Sequence, residues 1–361
     1  MENQLLFKFR EKLAESKLDA FLVTSTGNVQ YLTGFTGHDT FLLITADNRG
    51  ADLITDFRYI EQAEQETAGF EIIRHKNGLI KKVKELTKKL KIKKLGFESN
   101  YLTYTMVTLL RKKLGQRTEL VPTSDLVESL REIKTPDEIG RIRQAVDCAR
   151  LAFLKVTKII KPGMTEKELA NELDYYLRLA GAENSAFGTI VAADERASLP
   201  HARPTDKIIT PHSAVLFDWG ACCQSYCSDL TRVVFLGKIP PLLKKLYRIV
   251  AEAQQRAIDL IKPGLPIGRL DKTARAFIQK KGYGKYFGHG LGHGIGRQGH
   301  EAPRLKGNKN KLQPGMVMTI EPGIYLPGQG GIRIEDMVLV TETGCELLTA
   351  SVPKKLEEMV L

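Results

Sequence analysis

Long apolar runs are missing from this chain. None approaches the ~20 residues a membrane-spanning helix needs, and the stretch MENQLLFKFREKLAE mixes acid and base where a signal peptide would carry an apolar core. A cytoplasmic protein with no membrane partner is expected. Cysteine is scarce: Cys148, Cys222, Cys223, Cys227 and Cys345 make five, an odd number, and with no secretory signal they are expected to be reduced thiols. Aromatics are 7% of residues, and none is interleaved with the lysines of KNGLIKKVKELTKKLKIKK, residues 76–94. The net charge of +12 therefore comes without a stacking platform for bases, and no nucleic-acid partner is expected. Those lysines share a helical pattern with Ile80, Val83, Leu86 and Leu90, which describes the wet face of an amphipathic helix.

What is present points to two domains, since 361 residues exceed the ~250–300 at which single cores stop growing. Up to about residue 122, the apolar runs DAFLVTS, TFLLIT, ADLITD, FEIIRH, KKLGF and TELVP alternate with helical patterns such as FRYIEQAEQET and YTMVTLLRKKL. That alternation marks an α/β layer domain over residues 1–125. A boundary at 122–134 precedes Thr135-Pro136-Asp137-Glu138, which reads as a capped helix start, and a second domain over 133–361.

The second part repeats itself. IKPGMTEKELANELDYYLRLAG starts at Ile160 and IKPGLPIGRLDKTARAFIQKKG at Ile261, pairing Leu169 with Leu270, Tyr176 with Phe277 and Gly181 with Gly282. Two copies are too few for a solenoid, so a pseudo-symmetric single domain is expected. The repeat continues into PHSAVLFDWG and PGMVMTIEPG, matching Asp218 to Glu321. Downstream lie Asp229 in SDLTRVVFL and Glu335 in IRIEDMVLV; upstream lie His201 and His300.

Carboxylates within apolar strand patterns are costly unless neutralised. One alone reads as a salt bridge or a surface turn; four at related positions read as a ligand shell. Two divalent cations balance four carboxylates, and with an imidazole the set suits Mn²⁺-like ions. Metals roughly 3.5–4 Å apart activate water and polarise a carbonyl, so a hydrolase is the natural consequence.

The segments HGLGHGIGRQGHE, TIEPGIY, GIRIED and DWG followed by CSDLTR resemble those of the pita-bread metallopeptidases related to methionine aminopeptidase, and within them the Xaa-Pro branch of prolidase and aminopeptidase P. The stretch STGNVQYLTGF is similar to the creatinase-type N-terminal domain, so the likeness spans essentially the whole chain. The resemblance implies an α+β pita-bread catalytic domain with pseudo-twofold duplication, preceded by an α/β creatinase-type domain. It implies that Asp218 chelates one metal, that Asp229 and Glu335 bridge two, and that His293 and Glu321 complete the second, with a hydroxide between them. Glu321 is then the proton shuttle. His201 and His300 stabilise the oxyanion, His289 lines the proline pocket, and Arg333 orients carboxylates. Manganese is the implied ion, with cobalt or zinc as alternatives.

Within HGLGHGIGRQGH, glycines are expected to let the backbone approach metal and substrate. Arg297-Gln298-Gly299 departs from the family pattern, which puts pocket polarity in question. Cys222, Cys223 and Cys227 lack a fourth ligand at finger-like spacing, against a structural zinc. His75 and His212 read as ordinary surface or core residues.

A dipeptidase must hold the free carboxylate of proline, for which an arginine fork is the physical device. Arg304 sits where prolidases carry one, and His38 in GFTGHDT resembles a prolidase loop residue that reaches the partner subunit's site, which implies a homodimer. A proline-containing peptide is thus the implied substrate and Xaa-Pro dipeptidase the implied activity. Xaa-Pro aminopeptidase, a metal-free creatinase-like amidinohydrolase and a non-catalytic pita-bread scaffold are the alternatives. Retention of all five ligands speaks against the last two.

Overall fold

The computed structural model describes residues 4–361, which form two compact units, one ending at Leu130 and one spanning Arg131–Leu361. The first unit is built on six strands: β1 (Ala20–Val23), β2 (Phe41–Thr45), β3 (Ala51–Thr55), β4 (Glu71–Arg74), β5 (Lys94–Glu98) and β6 (Glu119–Thr123). They are ordered β4-β3-β2-β1-β5-β6 in one mixed sheet, and all six apolar runs read from the sequence become strands. Every residue of β1 and β2 is buried, as their unbroken apolar runs require of central strands. The helix Leu79–Lys89 buries Ile80, Val83 and Leu86 and leaves Lys81, Lys84, Lys88 and Lys89 in solvent. The helix read from FRYIEQAEQET starts only at Ile60, because Arg58 N–H turns back onto Asp56 Oδ1 at 3.0 Å.

The second unit holds two packed helix pairs, Pro136–Ile159 with Glu166–Leu179 and Pro241–Ile258 with Gly268–Lys280. Thr135 and Glu138 cap the first helix reciprocally, Glu138 Oε2 accepting the Thr135 N–H at 2.7 Å. The strands are β7 (Asn184–Ser185), β8 (Ile190–Ala193), β9 (Ala214–Trp219), β10 (Ala221–Cys223), β11 (Tyr226–Cys227), β12 (Leu230–Phe235), β13 (His293–Gly294), β14 (Glu301–Arg304), β15 (Val317–Ile320), β16 (Gly323–Leu326), β17 (Gly330–Arg333), β18 (Asp336–Val340) and β19 (Cys345–Leu347). They pair as β12-β9-β8, β14-β13-β15-β18-β19, β16-β17 and β11-β10-β7.

The internal duplication is present in the backbone. Gly163 and Gly264 both adopt left-handed conformations, φ 95° and 83°, and donate to Ile209 and Leu312 carbonyls at 2.9 Å each. The bridges Thr165↔Ile208 and Pro266↔Lys311 follow at matching places. One apolar core runs through both halves, with Phe153 stacked on Trp219 at 4.5 Å and the indole N–H donating to Ala149 carbonyl at 2.9 Å.

The expectation of reduced thiols fails at one pair: Cys222 and Cys227 are joined by a disulfide. They face each other across the β10–β11 hairpin, whose turn residues Gln224 and Ser225 both have positive φ, 47° and 62°. A two-residue turn sets the strand register, and the register leaves the two Cα atoms 4.2 Å apart. Cys148, Cys223 and Cys345 are free, with the first two sulfurs 3.4 Å apart.

Candidate metal centre

Strand register assembles the site. Asp218 lies on β9 opposite Thr231 of β12, and Asp229 immediately precedes β12. Thr231 bridges to Glu335, the residue before β18, which joins the two halves. Glu321 follows β15, and β13 brings His293 alongside through the Gly294↔Met318 pairing. Two of the glycines are required by this packing. A Cβ at Gly292 would collide with the Thr319 carbonyl, and one at Gly294 with the Ala302 carbonyl. The close approach that the structure shows at these positions is of strand to strand.

Ligand atoms of Asp229, His293 and Glu335 lie within 4.8 Å of one another. His293 Nε2 is 3.7 Å from Asp229 Oδ2 and 3.3 Å from Glu321 Oε1. Its Nδ1 lies 3.1 Å from Gly294 carbonyl, which fixes the tautomer with the proton on Nδ1 when the ring is neutral and turns the Nε2 lone pair to the carboxylates. Asp218 is tied in by Arg333 Nη2 at 2.6 Å, while Arg333 Nε donates to Thr231 Oγ1 at 3.0 Å and that hydroxyl donates to Glu335 Oε2 at 2.7 Å.

The electrostatics call for added positive charge. Burial, then the charges of Glu335, Asp218 and Glu321, push the Asp229 carboxyl well above its ordinary range. Burial, then Glu321 and Asp218, does the same to Glu335. Asp218 is raised by burial, with Arg333 opposing, and its buried Oδ1 has no hydrogen-bond partner among the described residues. Burial would raise Glu321 also, but the His293 ring beside it wins and holds it low. An orphaned carboxylate oxygen, a preset imidazole and carboxyls that repel one another fit a divalent cation.

Sequence comparison agrees with this chemistry. The profile of metallopeptidase family M24 matches residues 140–342, and that of the creatinase/prolidase N-terminal domain matches residues 6–133. The chain belongs to metallopeptidase family M24. It is similar to the Xaa-Pro dipeptidase of Pyrococcus horikoshii, at 38% identity covering 96% of this chain and 97% of that one. Among solved structures it is similar to an Xaa-Pro dipeptidase from Bacillus anthracis, with TM-score 0.95, 42% identity and 99% of each chain covered. An X-Pro aminopeptidase from Thermotoga maritima matches with TM-score 0.88 and 39% identity, over 97% of this chain and 100% of that one. The M24 fold with its creatinase-type first unit, and a divalent metal, follow from membership.

The remaining candidates of this M24 enzyme fall into three groups. His300 and His289 sit against the centre: His300 stacks on His293 with centroids 3.8 Å apart, and His289 Nε2 is 2.9 Å from Tyr325 hydroxyl. Burial lowers the His289 pKa, so its Nδ1–H donates to Gly290 carbonyl and Nε2 accepts from Tyr325. His201 and Arg304 are exposed; Arg304 pairs with His293 in the β13–β14 register, and Arg333 reaches Pro200 carbonyl, next to His201, at 3.2 Å. His38 is exposed on the first unit. Arg297 lies over the Tyr226 ring at 5.2 Å.

Sequence reading passed over Tyr325, Thr231 and Glu301. Tyr325 accepts from Arg333 Nη1 at 2.9 Å and so links it to His289. Glu301, next to His300, is buried between Arg131 and Lys134, whose Nζ lies 2.9 Å away. All three stand within the quoted motifs. Their signal was a place within four residues of Glu321, Asp229 or His300, which alone does not separate a partner from a neighbour.

Proposed function

We propose that the protein is an Xaa-Pro dipeptidase working with two divalent metal ions. The observation that carries the reading is the convergence of Asp229, His293 and Glu335 ligand atoms within 4.8 Å beside the partnerless Asp218 Oδ1. Asp218, Asp229, His293, Glu321 and Glu335 would hold the ions. When bound, the ions supply Lewis acidity toward the scissile carbonyl and a lowered pKa for water, and manganese suits this oxygen-rich set, with cobalt and zinc as alternatives. Glu321 takes the proton of the attacking water and passes it to the leaving proline nitrogen. His201 and His300 donate hydrogen bonds to the carbonyl oxygen as it gains charge. His289, held by Tyr325, lines the proline pocket, and Arg333 keeps Asp218 oriented.

The dipeptidase choice is supported by the relatives that carry that name and by exposed Arg304 on the strand paired with His293. Arg304 would clamp the proline carboxylate. Arg304→Ala should raise KM for Xaa-Pro dipeptides by roughly 30- to 150-fold, about 2–3 kcal/mol, and leave Xaa-Pro-Xaa tripeptides little changed. Assays with manganese and cobalt added separately provide the measurement. Wild-type cleavage of tripeptides as fast as dipeptides, with a ratio that Arg304→Ala does not alter, would replace this reading with an Xaa-Pro aminopeptidase, the activity named for the Thermotoga maritima structure. A cytoplasmic homodimer in which the partner delivers His38 completes the proposal. His38→Ala should then give a smaller loss of the same kind, and sedimentation should give a dimer; a monomer removes that role.

A further inference from the structure

Glu166 opens the helix Glu166–Leu179 and is fully buried. A carboxylate in a first helical turn ordinarily faces its own helix's free N–H groups. This one is filled from elsewhere. Its Oε1 accepts the Ala193 N–H at 2.8 Å, and its Oε2 accepts the Thr205 N–H at 2.9 Å and the Thr205 hydroxyl at 2.7 Å. Arg196 Nε lies 3.0 Å from both oxygens, and Arg196 Nη2 donates onward to Arg203 carbonyl at 2.7 Å. One carboxylate thus grips both ends of the segment 193–205, and His201 lies inside it. The middle of the segment is held from the metal centre by the Arg333 contact to Pro200 carbonyl.

The second half of the duplication has a counterpart built from different residues. Asp271 Oδ1 accepts the Leu291 N–H at 3.0 Å and pairs with Arg275 Nη2 at 2.8 Å. Arg275 donates onward to the carbonyls of Phe287 at 2.7 Å and His289 at 2.6 Å. In both halves a buried carboxylate on the second helix, with an arginine, pins the loop that presents a histidine. Buried charge on this scale is tolerated only when every lone pair is filled, and the filled network is stiff.

We propose that Glu166 is the positioning residue of His201, setting the imidazole where it meets the scissile carbonyl oxygen. The proposal rests on the oxyanion role given to His201 above. The test is a double-mutant cycle on the full-length, metal-loaded enzyme with an Xaa-Pro dipeptide, recording kcat, KM, metal content and thermal unfolding. Glu166→Gln should lower kcat roughly 10- to 100-fold with KM and metal content unchanged, and should cost nothing further in a His201→Ala background. Thr205→Val, a milder change that keeps the carboxylate, should lose part of the same kcat, and Thr205→Ser should retain it. Asp271→Asn, whose loop carries His289, should multiply with His201→Ala. If the Glu166→Gln loss also multiplies, or if Thr205→Val is silent while folded, the proposal falls. If His201→Ala alone leaves kcat intact, the oxyanion assignment fails first, and that single variant identifies it.

Discussion

Glu335 and Asp336 are adjacent, both buried, and electrostatically opposite. Asp336 Oδ1 receives Arg232 Nη2 and Thr349 Oγ1 at 2.7 Å each, and Oδ2 receives Lys354 Nζ at 2.6 Å. Burial would raise its pKa, but Arg232 and Lys354 hold it below the ordinary value. Glu335 receives the Thr231 hydroxyl, and burial, then the charges of Glu321 and Asp218, push its carboxyl well up against the opposing Arg333. Extended backbone turns successive side chains to opposite sides, so one strand serves two environments. The fold completes the shell of a carboxylate that only holds structure, as it also does for Glu98 in the first unit with Thr24, Ser25 and Asn28. It leaves the Asp218 Oδ1 without a hydrogen-bond partner among the described residues.

The largest expected effect tests the incomplete side. Glu335→Gln, or Asp229→Ala, should lower kcat by roughly 10⁴-fold, about 5 kcal/mol, and elemental analysis should give less metal. The metal-free Glu335→Gln protein should unfold no earlier than metal-free wild type, because one member of a repelling set is gone. An earlier midpoint would break the comparison. Asp336→Ala strands the buried Arg232 guanidinium and should cost about 3–5 kcal/mol of stability. Urea unfolding followed by the fluorescence of Trp219, the chain's one tryptophan, reads this within the second unit. A loss under about 1 kcal/mol would mean Arg232 finds other partners.

His300 stands between these cases, stacked on the His293 ring without belonging to the carboxylate set. His300→Ala should keep its metal and lose roughly 10²- to 10³-fold in kcat, about 3–4 kcal/mol. Loss of metal instead would make it a ligand. The smallest effect is in the first unit. Asp52 is buried on β3, and burial, then the Glu71 charge, lifts its pKa to about 6 with Lys89 opposing. A raised folded-state pKa contributes stability that is present below the unfolded value of 3.8 and lost as pH rises through about 6. Asp52→Asn should therefore be neutral below pH 4 and stabilising above pH 6, by at most about 3 kcal/mol. Amide exchange of β2 and β3 at the two pH values measures it, and an equal effect at both would remove Asp52 from the comparison.

Much of this was legible in advance because it depends on local pattern. The runs AFLV and FLLIT read as strand candidates and are buried strands, and Thr135-Pro136-Asp137-Glu138 reads as a capped helix start and opens one. The repeat of IKPG and the match of Asp218 to Glu321 marked the two halves, since duplicated backbone conserves turn chemistry at Gly163 and Gly264. The Cys222–Cys227 bond was misread because compartment was weighed before hairpin register, which is local but depends on two left-handed residues, Gln224 and Ser225, that carry no glycine to announce them. Glu166 was invisible for a different reason: its partners Ala193, Arg196 and Thr205 lie 27 to 39 residues along the chain.

From the sequence alone came the elements, the duplication and the kinds of ligand, because these follow from side-chain periodicity and from which atoms bind cations. Tertiary structure alone decided which carboxylates are satisfied. Glu335 and Asp336 are chemically alike and neighbours in the chain. Only the arrival of Arg232, Thr349 and Lys354 on one side, and of Asp218, Asp229 and Glu321 on the other, makes one a paired structural anion and sets the other among like charges. Buried charge takes its energy from neighbours within a few ångströms, and it is folding that chooses those neighbours.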